Sequence, residues 1–256
     1  HAAAPSYRQL LEHVRPQILL ALTATPERTD QLDILHWFGG RTSAEIRLPD
    51  AINRRLLCPF QYFGISDSVD LDGLTWQRGG YRLEDLDRIY TGNDVRARLV
   101  LEKVHELLLH PRQARGLGFC VSKAHAEFMA RYFDRHEIPS AALTADSPDE
   151  LRRTVQEQLR NRKINFIFVV DLYNEGVDIP EVDTVLLLRP TESLTVYLQQ
   201  LGRGLRQHTE KECLTVLDFI GAQRREFRFA SRLRALSTKP ECRLDHEIEN
   251  GFPHLP

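Results

Sequence analysis

The stretch GLGFCVSKAHAEFMARYFDRHEIPSAAL, residues 116–143, decides the fold of this chain. Two short apolar runs, 116–121 and 141–143, enclose a segment, 123–136, in which apolar residues recur three and four positions apart. That spacing is typical of an amphipathic helix, and short apolar runs between helices are typical of buried strands. The stretch therefore predicts two parallel strands joined by a crossover helix.

The same alternation continues on both sides of this stretch. Further apolar runs predict strands at 17–22, 60–65, 164–170, 182–188 and 214–219, and further helical patterns lie at 93–110, 147–160 and 193–206. Strands that alternate with helices are typical of an α/β fold, in which helices flank a mostly parallel sheet. From residue 116 to residue 219 the predicted order is β-α-β-α-β-β-α-β.

Three segments depart from this alternation. Residues 66–92 are acidic and glycine-punctuated, so we interpret them as an excursion, a loop with one short helix. Residues 224–235 predict a basic amphipathic helix, and the residues after 236 show no periodicity. These last residues are interpreted as a tail.

Charge does not identify a partner. The chain has 256 residues, of which 34 are basic and 36 acidic, so its net charge is only -2. A polyanion would therefore have to be held by a local arrangement of groups rather than by bulk charge. The hydrophobic content of 42% is enough for a substantial core.

The cysteines and apolar runs exclude other classes of protein. None of the four cysteines belongs to a CxxC pair, which argues against a zinc site and a disulfide framework; they are Cys58, Cys120, Cys213 and Cys242. We expect buried free thiols and no metal site. No apolar run approaches the roughly 18 residues needed to cross a bilayer. The sequence thus predicts a soluble, cytoplasmic protein without a membrane partner.

Polar residues follow most of the predicted strands. In α/β sheets, ligands bind outside the carboxyl ends of the strands. The strand at 17–22 is followed by TATPER, 23–28, and the strand at 116–121 by Ser122, which is placed to cap the next helix. The strand at 141–143 leads into Thr144 and then SPDE, 147–150, which predicts a capping box on Ser147.

The segment QQLGRGLRQ, 199–207, carries the strongest local pattern. Gln199, Arg203 and Arg206 stand at i, i+4 and i+7, so one helix would project all three from one face. Gly202 and Gly204 each cost a helix about 1 kcal/mol relative to alanine, which indicates that a ligand or another backbone comes close. The alternative is an arginine-rich face exposed to solvent.

The motifs resemble a known family when they are taken in order. TATPER, FCVS, LTADS, NEGVDIP and QQLGRGLR resemble motifs III, IV, IVa, V and VI of superfamily two helicases of the DEAD/DEAH type. Looser strings, among them LTATPERTD, PFQYFGI, WQRGGY, DFIGAQRREFRF and GFPHLP, resemble bacterial restriction and repair helicases that carry a phospholipase-D-like nuclease domain. The resemblance spans residues 17 to 219.

The resemblance implies a domain organisation. Such motors contain two RecA-like lobes, and motifs IV to VI belong to the second. Residues 1–56 would then be a remnant of the first lobe with a linker, and 57–236 the second lobe, with the excursion at 66–92. Residues 237–256 would be a tail towards a missing region.

The resemblance also assigns residues to the nucleotide. Arg203 and Arg206 match the arginines that the second lobe supplies to the transferring phosphoryl group, with Arg206 as the finger on the γ-phosphate. Guanidinium suits this role because its planar fork stays charged and binds phosphate oxygens in pairs. Gln199 would orient nucleotide or water. Gly176 and Asp178 would lie near the ribose and the arginines.

A second set is implied for nucleic acid. Ser122, Thr144 and Asn174 would contact the sugar-phosphate backbone without reading bases, as a translocating motor requires. Thr23 and Thr25, in the first lobe, would couple nucleotide state to nucleic-acid grip. DNA is the partner that the restriction and repair resemblance favours.

Half of the nucleotide site is absent from the sequence. No GxxxxGK[ST] motif occurs, and the only Asp-Glu pair, Asp149 with Glu150, lies at a predicted helix start. ATP and Mg²⁺ would therefore require the missing first lobe, which is itself an implied partner. We expect this chain to be inactive alone and the longer protein to act as an ATP-dependent helicase or translocase.

Two other functions stay open at this point. A non-catalytic nucleic-acid-binding or docking module could share the motor-like fold, with the arginine helix gripping phosphate directly. A dinucleotide-binding enzyme is disfavoured because no GxGxxG follows a strand. The direction of movement and the choice between DNA and RNA are not encoded in these motifs.

Overall fold

A computed structural model of the chain describes residues 5–14, 16–22, 35–40, 42–77, 80–170, 179–191 and 193–222. The chain divides into two compact units, His1–Arg47 and Leu48–Pro256. The first unit contains helix α1 (Pro5–His13) and a single 3-10 turn, Leu35–Phe38, within its described residues. The domain boundaries predicted from the sequence stay predictions.

The strand predicted at 17–22 is wrong. These residues form no strand, and the side chains of Leu19 and Leu22 are 40% and 88% exposed. A strand needs a neighbour that satisfies its main-chain hydrogen bonds, and none of the described residues pairs with this segment. The apolar pattern is present, but within the described ranges it has no strand partner.

The second unit contains all of the described strands. They are β1 (Phe60–Asp70), β2 (Trp76–Gln77), β3 (Gly80–Tyr81), β4 (Gly116–Phe119), β5 (Ser140–Leu143), β6 (Phe166–Val169), β7 (Thr184–Leu187) and β8 (Leu214–Ala222). Its α-helices are α2 (Leu48–Asn53), α3 (Leu83–Tyr90), α4 (Asp94–Leu107), α5 (Lys123–Arg135), α6 (Asp149–Arg160) and α7 (Leu194–Gly204), and a 3-10 turn lies at Pro111–Gln113.

Six strands form one parallel sheet in the order β1-β8-β7-β4-β6-β5. The order of elements from β4 to β8 is β-α-β-α-β-β-α-β, so the predicted fold class and element order are confirmed. Every residue of β4, β6 and β7 is buried, as expected for parallel strands covered on both faces.

Two apolar layers hold the helices to the sheet. One face packs on α2, α6 and α7, through residues such as Ile52, Leu159 and Tyr197. The other face packs on α4 and α5, through residues such as Val100 and Phe133. Alternate strand residues supply each layer because successive side chains point to opposite faces.

The glycines of GLGF fit this packing. A Cβ atom built on Gly116 would lie 2.2 Å from the ring of Phe166, and one on Gly118 would lie 2.5 Å from the ring of Phe168. Both rings pack edge-on against Phe133 of α5, with centroids 5.3 and 4.9 Å away. The glycines of β4 therefore make room for the aromatic residues of β6.

The segment 66–92 differs from its prediction. Strand β1 continues to Asp70 rather than ending at residue 65, and its residues 65, 67 and 69 are buried in alternation. The β2–β3 hairpin and α3 follow, so the segment is not a loop with one helix. Its apolar residues form a third cluster that includes Tyr90 of α3 and Val121 after β4. This cluster fixes α3 beside the carboxyl end of β4.

Candidate functional site

Ser122 lies three residues past the end of β4 and caps α5, as predicted. Its Oγ accepts a hydrogen bond of 3.0 Å from the main-chain N–H of His125. The same hydroxyl donates to Asp87 of α3, whose Oδ1 also accepts a 2.6 Å bond from Thr91 Oγ1. The hydroxyl predicted to meet nucleic acid is therefore held by an acidic side chain of the 66–92 segment.

Thr144 directly follows β5, at the same carboxyl edge of the sheet as Ser122. Its main-chain N–H donates to Ser147 Oγ at 3.0 Å, and its own Oγ1 accepts from Asp146 N at 3.3 Å. The predicted capping box is therefore wrong: Ser147 serves this turn, and Pro148, which has no side-chain acceptor, occupies the N-cap of α6. The Ser147 hydroxyl bonds to the main chain of the preceding turn, at Thr144, instead of capping α6.

A buried ion pair supports the carboxyl edge. Arg96 Nε of α4 donates to Asp67 Oδ2 of β1 at 2.5 Å, and Arg96 Nη2 donates to the carbonyl of Leu188 at 3.0 Å. The guanidinium also lies 4.0 Å from the centre of the Tyr90 ring. Arg96 thereby ties β1, α3 and the end of β7 together. The sequence contains no local pattern that marks this pair.

His125 is enclosed next to this ion pair. Its ring stacks on Tyr90 with centroids 5.6 Å apart, and its Nδ1 accepts from the N–H of Val121 at 3.3 Å. Burial first, and then the positive charge of Arg96, hold the pKa of His125 well below its ordinary value of 6.5. A neutral ring with its proton on Nε2 fits the acceptor role of Nδ1.

The arginine helix is shorter than predicted. Ser193 caps α7, and the helix ends at Gly204, so Gln199 and Arg203 lie on it while Arg206 lies two residues beyond its end. In a longer helix the Gly204 carbonyl would accept a main-chain N–H four residues on. It instead accepts from Lys211 Nζ at 2.8 Å and from Cys58 Sγ at 3.5 Å.

The two glycines of this helix have different surroundings. A Cβ atom on Gly204 would lie 2.3 Å from Leu214 Cδ1, so the neighbour that requires glycine there is a core side chain, not the ligand or backbone that the sequence predicted. A Cβ atom on Gly202 would meet nothing within 4 Å. Gly202 therefore borders open space as far as the described residues extend.

The predicted site residues fall at opposite edges of the sheet. Ser122 and Thr144 follow the carboxyl ends of β4 and β5. The end of α7 lies at the amino edge, because the N–H of Cys58, two residues before β1, donates to the carbonyl of Leu205 at 2.8 Å. Gln199, Arg203 and Arg206 are half-buried.

The remaining predicted residues lie outside the described part of the chain. They are Thr23, Thr25, Asn174, Gly176 and Asp178. Their roles stay predictions, as do the roles of the described site residues.

Comparison with known proteins identifies the domain. Residues 99–208 match the family model described as "Helicase conserved C-terminal domain". This segment is therefore similar to helicase C-terminal domains. The match includes Ser122, Thr144, Gln199, Arg203 and Arg206, and the resemblance to superfamily two helicases that the motifs predicted is confirmed.

Curated relatives of this helicase domain are distant but match over most of the chain. The putative ATP-dependent helicase IRC3 of Saccharomyces cerevisiae is 26% identical over 87% of this chain and 33% of its own length. A type I restriction enzyme EcoAI endonuclease subunit of Escherichia coli is 25% identical over 84% of this chain and 29% of its own. The chain thus spans about a third of the length of these relatives.

Solved structures confirm the RecA-like fold. A fragment of a putative HsdR subunit of a type I restriction enzyme from Vibrio vulnificus YJ016 superposes with a TM-score of 0.66 at 22% identity, over 85% of this chain and 42% of that one. The ATP-dependent Type ISP restriction-modification enzyme LlaBIII, solved bound to DNA, gives 0.54 at 13% identity, over 80% of this chain and 15% of that one.

Within the part of the chain that the structure describes, no helix is both long and apolar enough to span a bilayer.

Proposed function

We propose that this chain is the C-terminal part of an ATP-dependent helicase or translocase that acts on nucleic acid, with DNA as the preferred partner. Its contribution is the arginine pair, Arg203 and Arg206, together with a share of the nucleic-acid grip. The observation that carries the proposal is the separation of the two predicted sets of residues. Ser122 and Thr144, to which we assign contacts with the sugar-phosphate backbone, follow strands at the carboxyl edge, and the arginine segment ends at the amino edge.

This separation suits a motor. A translocating enzyme must change its nucleic-acid contacts when its nucleotide changes, so the two ligands need separate sites on one rigid body. The parallel sheet provides that body, because its central strands are buried throughout. In sequence, Asn174, Gly176 and Asp178 stand between the end of β6 at the carboxyl edge and the start of β7 at the amino edge.

The residues of this chain fit only part of an ATP site. The family in general uses ATP with Mg²⁺. Guanidinium groups at Arg203 and Arg206 suit phosphate oxygens, on which charge develops during phosphoryl transfer. The sequence has no phosphate-binding GxxxxGK[ST] loop, and the described residues include no group of three acidic, histidine or cysteine side chains that could hold a metal ion. We assign the phosphate cradle and the Mg²⁺ ligands to a first lobe outside this chain.

The roles of the arginines follow from phosphoryl-transfer chemistry. An arginine that contacts the γ-phosphate oxygens stabilises the transition state more than the bound ATP, so it raises kcat rather than affinity. We assign this role to Arg206, with Arg203 beside it and Gln199 orienting nucleotide or water. Asp178 and Gly176 border the ribose, and Thr23 and Thr25 transmit the nucleotide state.

The experiment is Arg206→Ala in the longer protein that carries the phosphate cradle. We expect nucleic-acid-stimulated ATP hydrolysis to fall about a thousandfold while the Kd for a single-stranded DNA oligonucleotide changes less than threefold. Arg131→Ala is the matched control, because this arginine is exposed on α5 in a single i,i+4 pair with Glu127. Normal ATPase with weakened, less salt-dependent DNA binding would instead establish a phosphate clamp and a non-catalytic docking module.

A further inference from the structure

Lys211 is a buried lysine at the amino edge of the sheet, only 8% exposed. Its Nζ donates three hydrogen bonds to main-chain carbonyls: to Pro180 at 2.9 Å, to Val182 at 2.9 Å and to Gly204 at 2.8 Å. An ammonium group has three N–H donors, so every donor of Lys211 is used. Side chains of this type are rarely buried, and a fully bonded one marks a specific arrangement.

The three carbonyls come from two segments that carry the predicted nucleotide residues. Pro180 is the last residue of NEGVDIP, the segment with Gly176 and Asp178. Gly204 is the last residue of α7 and lies between Arg203 and Arg206. A single ammonium therefore links the end of one segment to the end of the other, although they are 24 residues apart in sequence.

Carbonyl oxygens and nearby acidic groups attract the Lys211 ammonium, whereas burial opposes its charge. The carbonyls at the end of a helix carry the negative end of its dipole, and Gly204 supplies one of them. Burial lowers the pKa of Lys211, and the nearby groups Cys58, Asp183 and Glu181 act in the opposite direction. Cys58 also donates its thiol to the Gly204 carbonyl at 3.5 Å. The end of α7 is thus fixed from two sides.

We propose that Lys211 is a positioning residue that holds Pro180, at the end of NEGVDIP, beside Gly204, at the end of α7 in the arginine segment. This inference rests on the proposed function, because it assumes that both segments serve the nucleotide. The three hydrogen bonds of Lys211 Nζ to carbonyls join main-chain segments, so we assign it no direct contact with phosphate or nucleic acid. It acts through Arg203 and Arg206, whose backbone it holds at Gly204.

The shape of the side chain explains why lysine is needed. An ammonium directs three donors to separate carbonyls, whereas a guanidinium has its donors in one plane. Lys211→Arg keeps the charge but loses this geometry. Lys211→Met keeps the length and loses both charge and donors, which leaves three carbonyls without their partner.

The test compares both variants in the longer, ATP-hydrolysing protein. Four quantities are measured for each protein: kcat and KM for ATP, the Kd for a single-stranded DNA oligonucleotide, and the Tm. We expect Lys211→Met to lower kcat at least tenfold and Lys211→Arg at least threefold, with both Kd values within twofold of the unchanged protein. Lys163→Met is the matched control because Lys163 is exposed, and it should leave all four quantities unchanged.

Two results would overturn the inference. One is a folded Lys211 variant with kcat within twofold of normal. The other is a parallel loss of kcat, DNA binding and Tm, which is the signature of a purely structural lysine. If Lys211→Met does not fold, Lys211→Arg decides alone by the same criteria. The proposed function is tested separately. It would be contradicted if Arg206→Ala left ATP hydrolysis intact, whatever the result for the Lys211 variants.

Discussion

At the scale of single residues, the carboxyl edge contains a buried ion pair between Arg96 and Asp67. Arg96 and Asp67 are both nearly inaccessible, so each would be an unpaired buried charge without the other. Removing one partner of such a pair is strongly destabilising even where the intact pair adds little net stability. The pair therefore specifies how β1 meets α4 more than it strengthens the core.

We expect Arg96→Met to lower the free energy of unfolding by about 3–5 kcal/mol, because Asp67 stays buried without its partner. Urea denaturation of this chain, followed by circular dichroism, measures the change. Arg98→Met is the control on the same helix, and its exposed side chain should change the value by less than about 0.5 kcal/mol. A similar effect of both variants would show that the ion pair is not the cause.

His125 predicts a specific dependence of stability on pH. Its folded pKa lies well below 6.5, so at acidic pH the unfolded chain binds a proton there that the folded chain does not. The share of the free energy of unfolding that depends on the neutral His125 ring is therefore complete above pH 6.5. It is lost as the pH falls below 6.5, by up to about 1.4 kcal/mol per pH unit. His125→Gln should flatten the stability curve between about pH 6.5 and 5, whereas His105→Gln, at an exposed position, should not. Equal slopes for all three proteins would contradict the assignment.

At the scale of elements, α7 offers a matched pair of glycines. Gly204→Ala forces a Cβ atom against Leu214, so we expect the free energy of unfolding to fall by about 1–3 kcal/mol. Gly202→Ala adds a methyl group in open space, so we expect a gain of up to about 1 kcal/mol from helix propensity. Thermal or urea unfolding of the two variants measures both changes.

The same pair tests whether a ligand approaches α7. If nucleotide comes close to Gly202 in the longer protein, Gly202→Ala should lower ATP hydrolysis while it raises stability. A more stable variant with unchanged ATP hydrolysis would place Gly202 away from the nucleotide. Gly204→Ala is not informative for this question because its methyl group meets the core.

The elements were largely predictable from the sequence because hydrophobic periodicity is a local signal. Strands β4 to β8 and helices α4 to α7 were predicted close to their observed places. The misses have physical causes. Residues 66–70 of β1 are mostly polar, and only their pairing with β8 makes them a strand. The run at 17–22 is apolar, as a strand would be, but it pairs with no other strand among the described residues.

Contacts of the candidate site residues could be predicted only where they join residues of one local sequence motif. The cap on Ser122 was correct because it joins neighbouring residues. The partnership of Ser122 with Asp87 and the three carbonyls on Lys211 join segments that are distant in sequence. A lone lysine after a loop has no periodicity or spacing that distinguishes it from a solvated one, so only the fold reveals such a residue.

At the scale of the whole molecule, the proposed function gives this chain half of an active site. Under that proposal, the paired arginines act on the transition state, and the parts that bind the substrate lie outside this chain. Catalysis would then require a second lobe that holds ATP and closes on this one when nucleic acid is bound. The match of residues 99–208 to helicase C-terminal domains and the greater length of the curated relatives support this division.

The most direct test of this division is steady-state ATP hydrolysis by the purified chain, with and without single-stranded DNA, beside the longer protein that includes the first lobe. We predict no turnover above background for the chain alone under either condition, and DNA-stimulated turnover for the longer protein. Sustained ATP hydrolysis by the chain alone would show that it holds a complete nucleotide site and would contradict the account.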